Sequence, residues 1–322
     1  MDIYRDYFTR EELVRVLAQA PYIPGLLGQL GLFEPVPLTS TGFDVEEETK
    51  DGARILTGKP RGAPREVTNL DKRKVHTFTV QTQYGDQGAV MADEVLSARG
   101  AGTSGQKEVI EDRRARLVAR LRRNVDLTHE NVRMQCVLNP GSTEFGAAAS
   151  TAVIAVQTDS TKLRQEIFNK ITLPMEAALD GLSFGEPLAL CSNGYWSDLI
   201  EAKSIRETYL NYQAAAELRG AVAEEFVFGG VRWRRYRGSG TVKIPDNEAR
   251  VIPTNVQGTF WMPMAPNDTM ESVGAGALGQ PYYIGAMELK DSQGTKGFEV
   301  SIQSHVRAIC GRPACIIPLA KA

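Results

Sequence analysis

The stretch TSGQKEVIEDRRARLVARLRRNVDLTHENVRMQCVLNPG, residues 103–141, decides how the rest of the chain is read. Thr103-Ser104-Gly105-Gln106 offers a helix start and Asn139-Pro140-Gly141 a stop. Between them Ile110, Leu117, Leu121, Val125, Val132 and Cys136 recur at helical spacing, which predicts one helix over about residues 105–138. At about 1.5 Å per residue it would be roughly 50 Å long. Its other faces carry Arg113, Arg114, Arg116, Arg120, Arg122 and Arg123. Six arginines so close together could follow a row of phosphates by charge alone, or form a solvated, salt-bridged face. No aromatic residue interleaves them, which argues against base stacking and sequence-specific reading.

Toward the N-terminus, Thr9-Arg10-Glu11-Glu12 is a capping-box pattern, and Leu13, Val14, Leu17 and Ala20 follow on one face, predicting a helix over 9–20 that Pro21 and Pro24 end. From there to about residue 42, apolar residues alternate with Pro and Gly, which suits an extended arm. Leu26, Leu27, Leu30 and Phe33 of that arm need a place to be buried, and a neighbouring subunit is the expected acceptor. Residues 43–83 read as a two-stranded excursion: a polar strand near Phe43–Thr49, a Gly/Pro-rich tip, and a return strand with Phe78 and Val80. Charge is segregated here. Residues 1–49 carry three basic and nine acidic side chains, and residues 50–76 carry eight basic and three acidic ones. Glu46, Glu47 and Glu48 against Lys72, Arg73 and Lys74 are therefore candidate assembly contacts, with a solvated surface as the alternative.

Toward the C-terminus, Ala152–Val156 reads as a strand. Leu163, Ile167, Ile171, Met175 and Leu179 form a helical stripe that Pro174 should kink. Leu188–Cys191 is a short buried strand, Trp196, Leu199 and Ile200 mark a helix, and Phe226–Trp233 is a hairpin about Gly229-Gly230. Phe298, Val300 and Ile302 alternate with polar residues before an apolar end at Ile309–Leu319. The whole is a mixed α+β protein whose late strands return to earlier structure.

With 42% hydrophobic and 24% charged residues, the 322-residue chain is an ordinary folded protein, about two compact units or one core with long insertions. A net charge of −2 excludes a uniformly polybasic nucleic-acid binder. Met1–Asp6 lacks a basic start and apolar run, and no window of about 18 apolar residues exists, so synthesis and retention in a cytosol-like compartment are expected. Four cysteines are too few for a disulfide scaffold, and the Cys310/Cys315 spacing lacks a second ligand pair, so buried thiols and no zinc are expected. His76, His129 and His305 show neither HExxH spacing nor a nearby nucleophile. Gly274–Gly279 formally matches GxGxxG, but no apolar strand precedes it and Pro281 stands where the phosphate-binding helix should begin. Nothing points to an enzyme, and no cofactor or metal is expected.

Several segments resemble the phage major capsid protein E family of tailed bacteriophages, a lambda-type group. Glu225–Gly238, reading EFVFGGVRWRRYRG, is similar to that family's F-x-F-G-G-I … Y-R-G stretch, and Ile244-Pro245 with Asp246 and Glu248 fit the loop after it. Met264–Val273 followed by Gly279-Gln-Pro-Tyr-Tyr283 resembles its A-P-A-D-x-x-E-x-V … G-x-P-Y-Y signature, and Gly297–Ser304 with Arg312-Pro313 resemble its terminal strands. The quotable likeness spans about residues 160–322. It implies the Hong Kong 97-type capsid fold: an N-terminal arm (1–42), an extended loop (43–90), a peripheral domain with its spine helix (91–160) and return strands (293–322), and an axial domain (161–292). It further implies a structural head protein that self-assembles as hexamers and pentamers into an icosahedral shell around double-stranded DNA. The portal, a scaffold and a decoration protein would be its partners, after synthesis in the host bacterial cytoplasm. Arg116, Arg120 and Arg123 would then be the DNA-facing residues. The rivals are a nucleotide-binding enzyme using Gly274–Gly279 and another virion component such as a tail-tube protein, whose mostly β subunits fit poorly with the long helix.

Overall fold

A computed structural model describes residues 5–21, 25–48, 60–61, 73–97, 106–142, 145–154, 162–179, 182–211, 225–238, 240–273, 276–292 and 294–321, with backbone alone at 46–48, 73–74, 106–108, 142 and 208–211. The first helix, α1 (Arg10–Gln19), begins as its sequence predicts. Thr9 is the N-cap, its side chain accepting from the Glu12 N–H at 3.4 Å, and Leu13, Val16 and Leu17 are buried. Helix α2 (Leu26–Leu30) ends at Gly31, whose φ of 61° is left-handed. Strands β1 (Glu34–Pro37), β2 (Gly42–Glu48), β3 (Arg73–Thr79) and β4 (Tyr84–Met91) follow, then helix α3 (Ala92–Ser97). Helix α4 (Gln106–Leu138) runs 33 residues, within a residue of its expected start and ending at its expected last residue.

After β5 (Ala152–Ile154), helices α5 (Leu163–Ile167) and α6 (Leu173–Leu179) are joined by a π-helical turn over Phe168–Thr172. The turn lies just ahead of Pro174, whose missing N–H and ring disfavour a regular α-helical turn there. It has a second effect. Leu163, Ile167, Ile171, Met175 and Leu179 recur every four residues, and on an α-helix of about 3.6 residues per turn such a stripe drifts about 40° per step. The wider turn holds it back, and all five are buried. The chain continues through β6 (Leu188–Cys191), α7 (Asn193–Glu201), α8 (Lys203–Asn211), β7 (Glu225–Phe228) and β8 (Val231–Arg235). Gly229 and Gly230 sit at φ 66° and 80°, the two left-handed positions that a tight hairpin turn requires, and Phe228 pairs with Val231 across it. Strands β9 (Glu248–Ile252), β10 (Phe260–Met264), β11 (Tyr283–Asp291), β12 (Gly294–Ser304), β13 (Ile309–Cys310) and β14 (Ile317–Lys321) complete the chain.

The largest sheet has the order β5-β14-β9-β6-β8-β7, with β5/β14 and β6/β8 parallel. One of its faces packs on α5, α6 and α7 around Ile171, Tyr195, Trp233 and Leu319. A second, antiparallel sheet, β11-β12-β4, packs on α1 and α4 through Leu13, Val118, Leu121, Val300 and Ile302. Gly88 of β4 is what lets α4 approach, since a Cβ there would lie 2.5 Å from a Leu117 methyl. The third sheet, β1-β10-β13, shares a core with the C-terminal half of α4. β2 and β3 form a ribbon of their own.

Two expectations are corrected. The arm's apolar residues need no neighbour: Leu27 (1% exposed) and Phe33 lie in the same core as Met134, Val137 and Ile316, with Leu26 and Leu30 against it, because β1 pairs with β10 of its own chain. And α4 buries a wider arc than the predicted stripe, adding Val118, Met134 and Val137, because α1 lies on one side and β4 and β12 on another.

Candidate assembly interface

The acidic and basic runs of the arm and loop meet within one ribbon. The β2/β3 register sets Glu46 opposite Val75, Glu47 opposite Lys74 and Glu48 opposite Arg73. Lys72 lies outside the described residues. At the ribbon's root the alternation turns apolar, with His76, Phe78 and Val80 buried. Phe145 joins this root to the body, its ring centroid 4.6 Å from His76, 5.3 Å from Phe78 and 5.9 Å from Trp261. Arg307 stacks over Phe78 and donates to the Thr79 carbonyl at 2.9 Å. The ribbon is thus anchored at one end.

The six clustered arginines between residues 113 and 123 of α4 divide by role. Arg122 donates through Nη1 to the Leu17 and Ala20 carbonyls, each at 2.6 Å, and so covers the C-terminal end of α1. Arg114 donates to the Tyr7 carbonyl and lies over the Tyr7 ring. Arg113 pairs with Glu94 at 2.8 Å. Arg116, Arg120 and Arg123, spaced i, i+4 and i+7, form an exposed row, with Arg116 also bonded to Asp112.

Sequence reasoning missed three buried polar residues further along α4. Asp126, His129 and Glu130 are buried at 2–4% exposure. Tyr282 donates to Asp126, His129 Nε2 lies 2.7 Å from Ser304 Oγ, and Tyr236 donates to Glu130 at 3.0 Å. Burial, with Arg133 adding to it, lowers the His129 pKa to about 4, so the ring is neutral. Polar residues at helical spacing read as a solvated stripe, and the sequence carries no sign that partners more than a hundred residues away cover them.

The glycine-rich loop has a structural use. Gly279 donates to the Leu38 carbonyl at 2.7 Å, and a Cβ there would fall 1.9 Å from the Met264 oxygen. Strand β11 follows, so the loop does not open a helix that could hold a pyrophosphate. Gly274 and Ala275 lie outside the described residues. Nearby Met270, Val273 and Leu278 are 87%, 71% and 58% exposed. All four cysteines are buried thiols, and burial raises the pKa of Cys136, Cys191 and Cys310. Among the described residues no cluster of three His, Cys, Asp or Glu could hold a metal ion.

A family model described as phage major capsid protein E matches residues 9–320. The major capsid protein of Pseudomonas phage KPP10 is 26% identical over 301 residues, covering 83% of this chain and 85% of that protein. A prophage protein of E. coli CFT073 assigned as a capsid protein superposes with a TM-score of 0.57 at 14% identity, over 98% of this chain and 99% of that one. The capsid structure of Cyanophage P-SCSP1u gives 0.52 at 12% identity, over 90% and 86%. Such identities speak for the fold alone, and the fold is the expected Hong Kong 97-type α+β capsid fold.

Proposed function

This chain belongs to the phage major capsid protein E family, and from that premise we propose that it is the repeating subunit of an icosahedral phage head, assembled as hexamers and pentamers around double-stranded DNA. It is a structural head protein rather than an enzyme, its place is the virion capsid, and it associates with copies of itself. The observation that carries the proposal is the family match across nearly the whole chain, residues 9–320.

In the proposed division, residues 1–42 are the arm, 43–90 the extended loop, 91–160 the peripheral domain and 161–292 the axial domain. Hydrogen bonding favours two adjustments. β11 would go with β12 and β4 beside the spine helix α4, and β14, seated between β5 and β9, would tie the chain's end to the axial sheet. Contact between subunits would come from the ribbon and its basic tip, lying over a neighbour. The exposed row Arg116, Arg120 and Arg123 would face packaged DNA and contact phosphates without reading sequence. A portal, a scaffold and a decoration protein complete the proposed partners, and expansion during packaging would move the ribbon and α4. Synthesis would take place in the host cytoplasm.

Negative-stain microscopy of the purified protein tests the reading. Rings of five or six subunits, or closed shells, are expected; a monomer stable under every assembly condition would overturn it.

A further inference from the structure

Glu130 lies inside α4's buried face, yet its carboxylate serves two distant parts of the chain. Oε1 accepts from the Leu27 N–H at 2.8 Å and from the Tyr236 hydroxyl at 3.0 Å, and Oε2 accepts from the Gly28 N–H at 3.1 Å. Arg133 stands 3.7 Å from the same oxygen, Oε2. The leading N–H groups of a helix have no partner within it, and a negative charge there is favourable. Helix α2 obtains none from its own N-cap, because Gly25 has no side chain. The missing side chain is also what admits the carboxylate: a Cβ on Gly25 would lie 2.1 Å from Glu130 Cδ. Five residues cannot hold a helix unaided, so α2 depends on a cap supplied by α4. On the other side, the Tyr236 N–H donates to the Cys191 carbonyl at 2.9 Å, at the end of β6. An unbroken path therefore runs from α2 through one carboxylate to the six-stranded sheet.

We infer that Glu130 is a shared latch, which makes departure of the N-terminal segment 26–38 from α4 and movement of the six-stranded sheet against α4 a single coupled event. A buried carboxylate is tolerated through the sum of its hydrogen bonds, so losing one donor makes its burial less favourable and loosens the remainder. Tyr236 and Leu27 also share an apolar core with Met134 and Ile316. The hydroxyl must accordingly be separated from the ring.

Tyr236→Phe keeps the ring and removes the hydroxyl. In amide hydrogen exchange on the full chain, it should speed exchange at Leu27 and Gly28 by about three- to tenfold and leave the Leu13 amide of α1 unchanged. In a Glu130→Gln background the same substitution should add little. Unchanged exchange at Leu27 and Gly28, or an equal rise with and without Glu130, overturns the latch. Should Glu130→Gln fail to fold, Gly25→Ala, which displaces the carboxylate from the α2 side, should speed exchange at the Tyr236 amide. No change there would equally count against the coupling.

Discussion

Burial sets a pH window at His129. An exposed histidine titrates near 6.5, whereas the folded chain holds this ring at about 4. Between those values the unfolded chain takes up a proton that the folded chain refuses. Stability is therefore full above about pH 6.5 and falls as the pH drops, by up to about 1.4 kcal/mol per unit and roughly 3 kcal/mol in all. Denaturant unfolding of His129→Gln between pH 7 and 4 should show a correspondingly flatter dependence than the parent; equal slopes would remove the assignment. Ile171, fully buried on the π turn, should cost about 2–5 kcal/mol on truncation to Ala, read from the unfolding midpoint of unassembled subunit. The two residues were not equally legible. Ile171 belongs to a stripe that a single short window of sequence displays, while the surroundings of His129 come from Ser304 and Tyr282, which no local pattern connects to it.

The ribbon and α4 carry predictions of their own. If Glu47 and Lys74 pair across β2 and β3, Lys74→Glu should lower the yield of shells counted by microscopy, and adding Glu47→Lys should restore it. A double variant no better than the single one would place the partner of Lys74 elsewhere. Replacing Arg116, Arg120 and Arg123 with Gln should leave subunit stability within about 0.5 kcal/mol, since all three are exposed. Heads built from the variant should release DNA at lower temperature, and an unchanged release temperature would show that this row does not face DNA. Both elements were readable as elements, because helical spacing with a Pro-Gly stop and strand alternation are local properties. What the helix does with its arginines was not readable. Arg114 and Arg122 hold the N-terminal segment while Arg116 and Arg120 stay in solvent, and the difference lies in where α1 docks.

For the molecule as a whole, assembly is the property to measure. The chain should sediment as capsomers or shells in a concentration-dependent manner, and since its apolar arm is already buried against its own core, the subunit before assembly should be folded and soluble. Exposed apolar surface at levels typical of an unfolded arm, read by dye binding, would contradict that. By itself the sequence determined helix α1, the limits of α4, the buried stripe of Leu163–Leu179, the hairpin at Gly229-Gly230, the α+β class and, through its C-terminal segments, the family. Each of these rests on periodicity, turn chemistry or short motifs contained within a few residues. Only the tertiary structure decided that Leu27 and Phe33 are buried at home, that β14 enters the large sheet beside β9, and that Asp126, His129 and Glu130 face inward. A polar side chain can be buried only where donors and acceptors meet it, and here those partners are brought from other parts of the chain by folding.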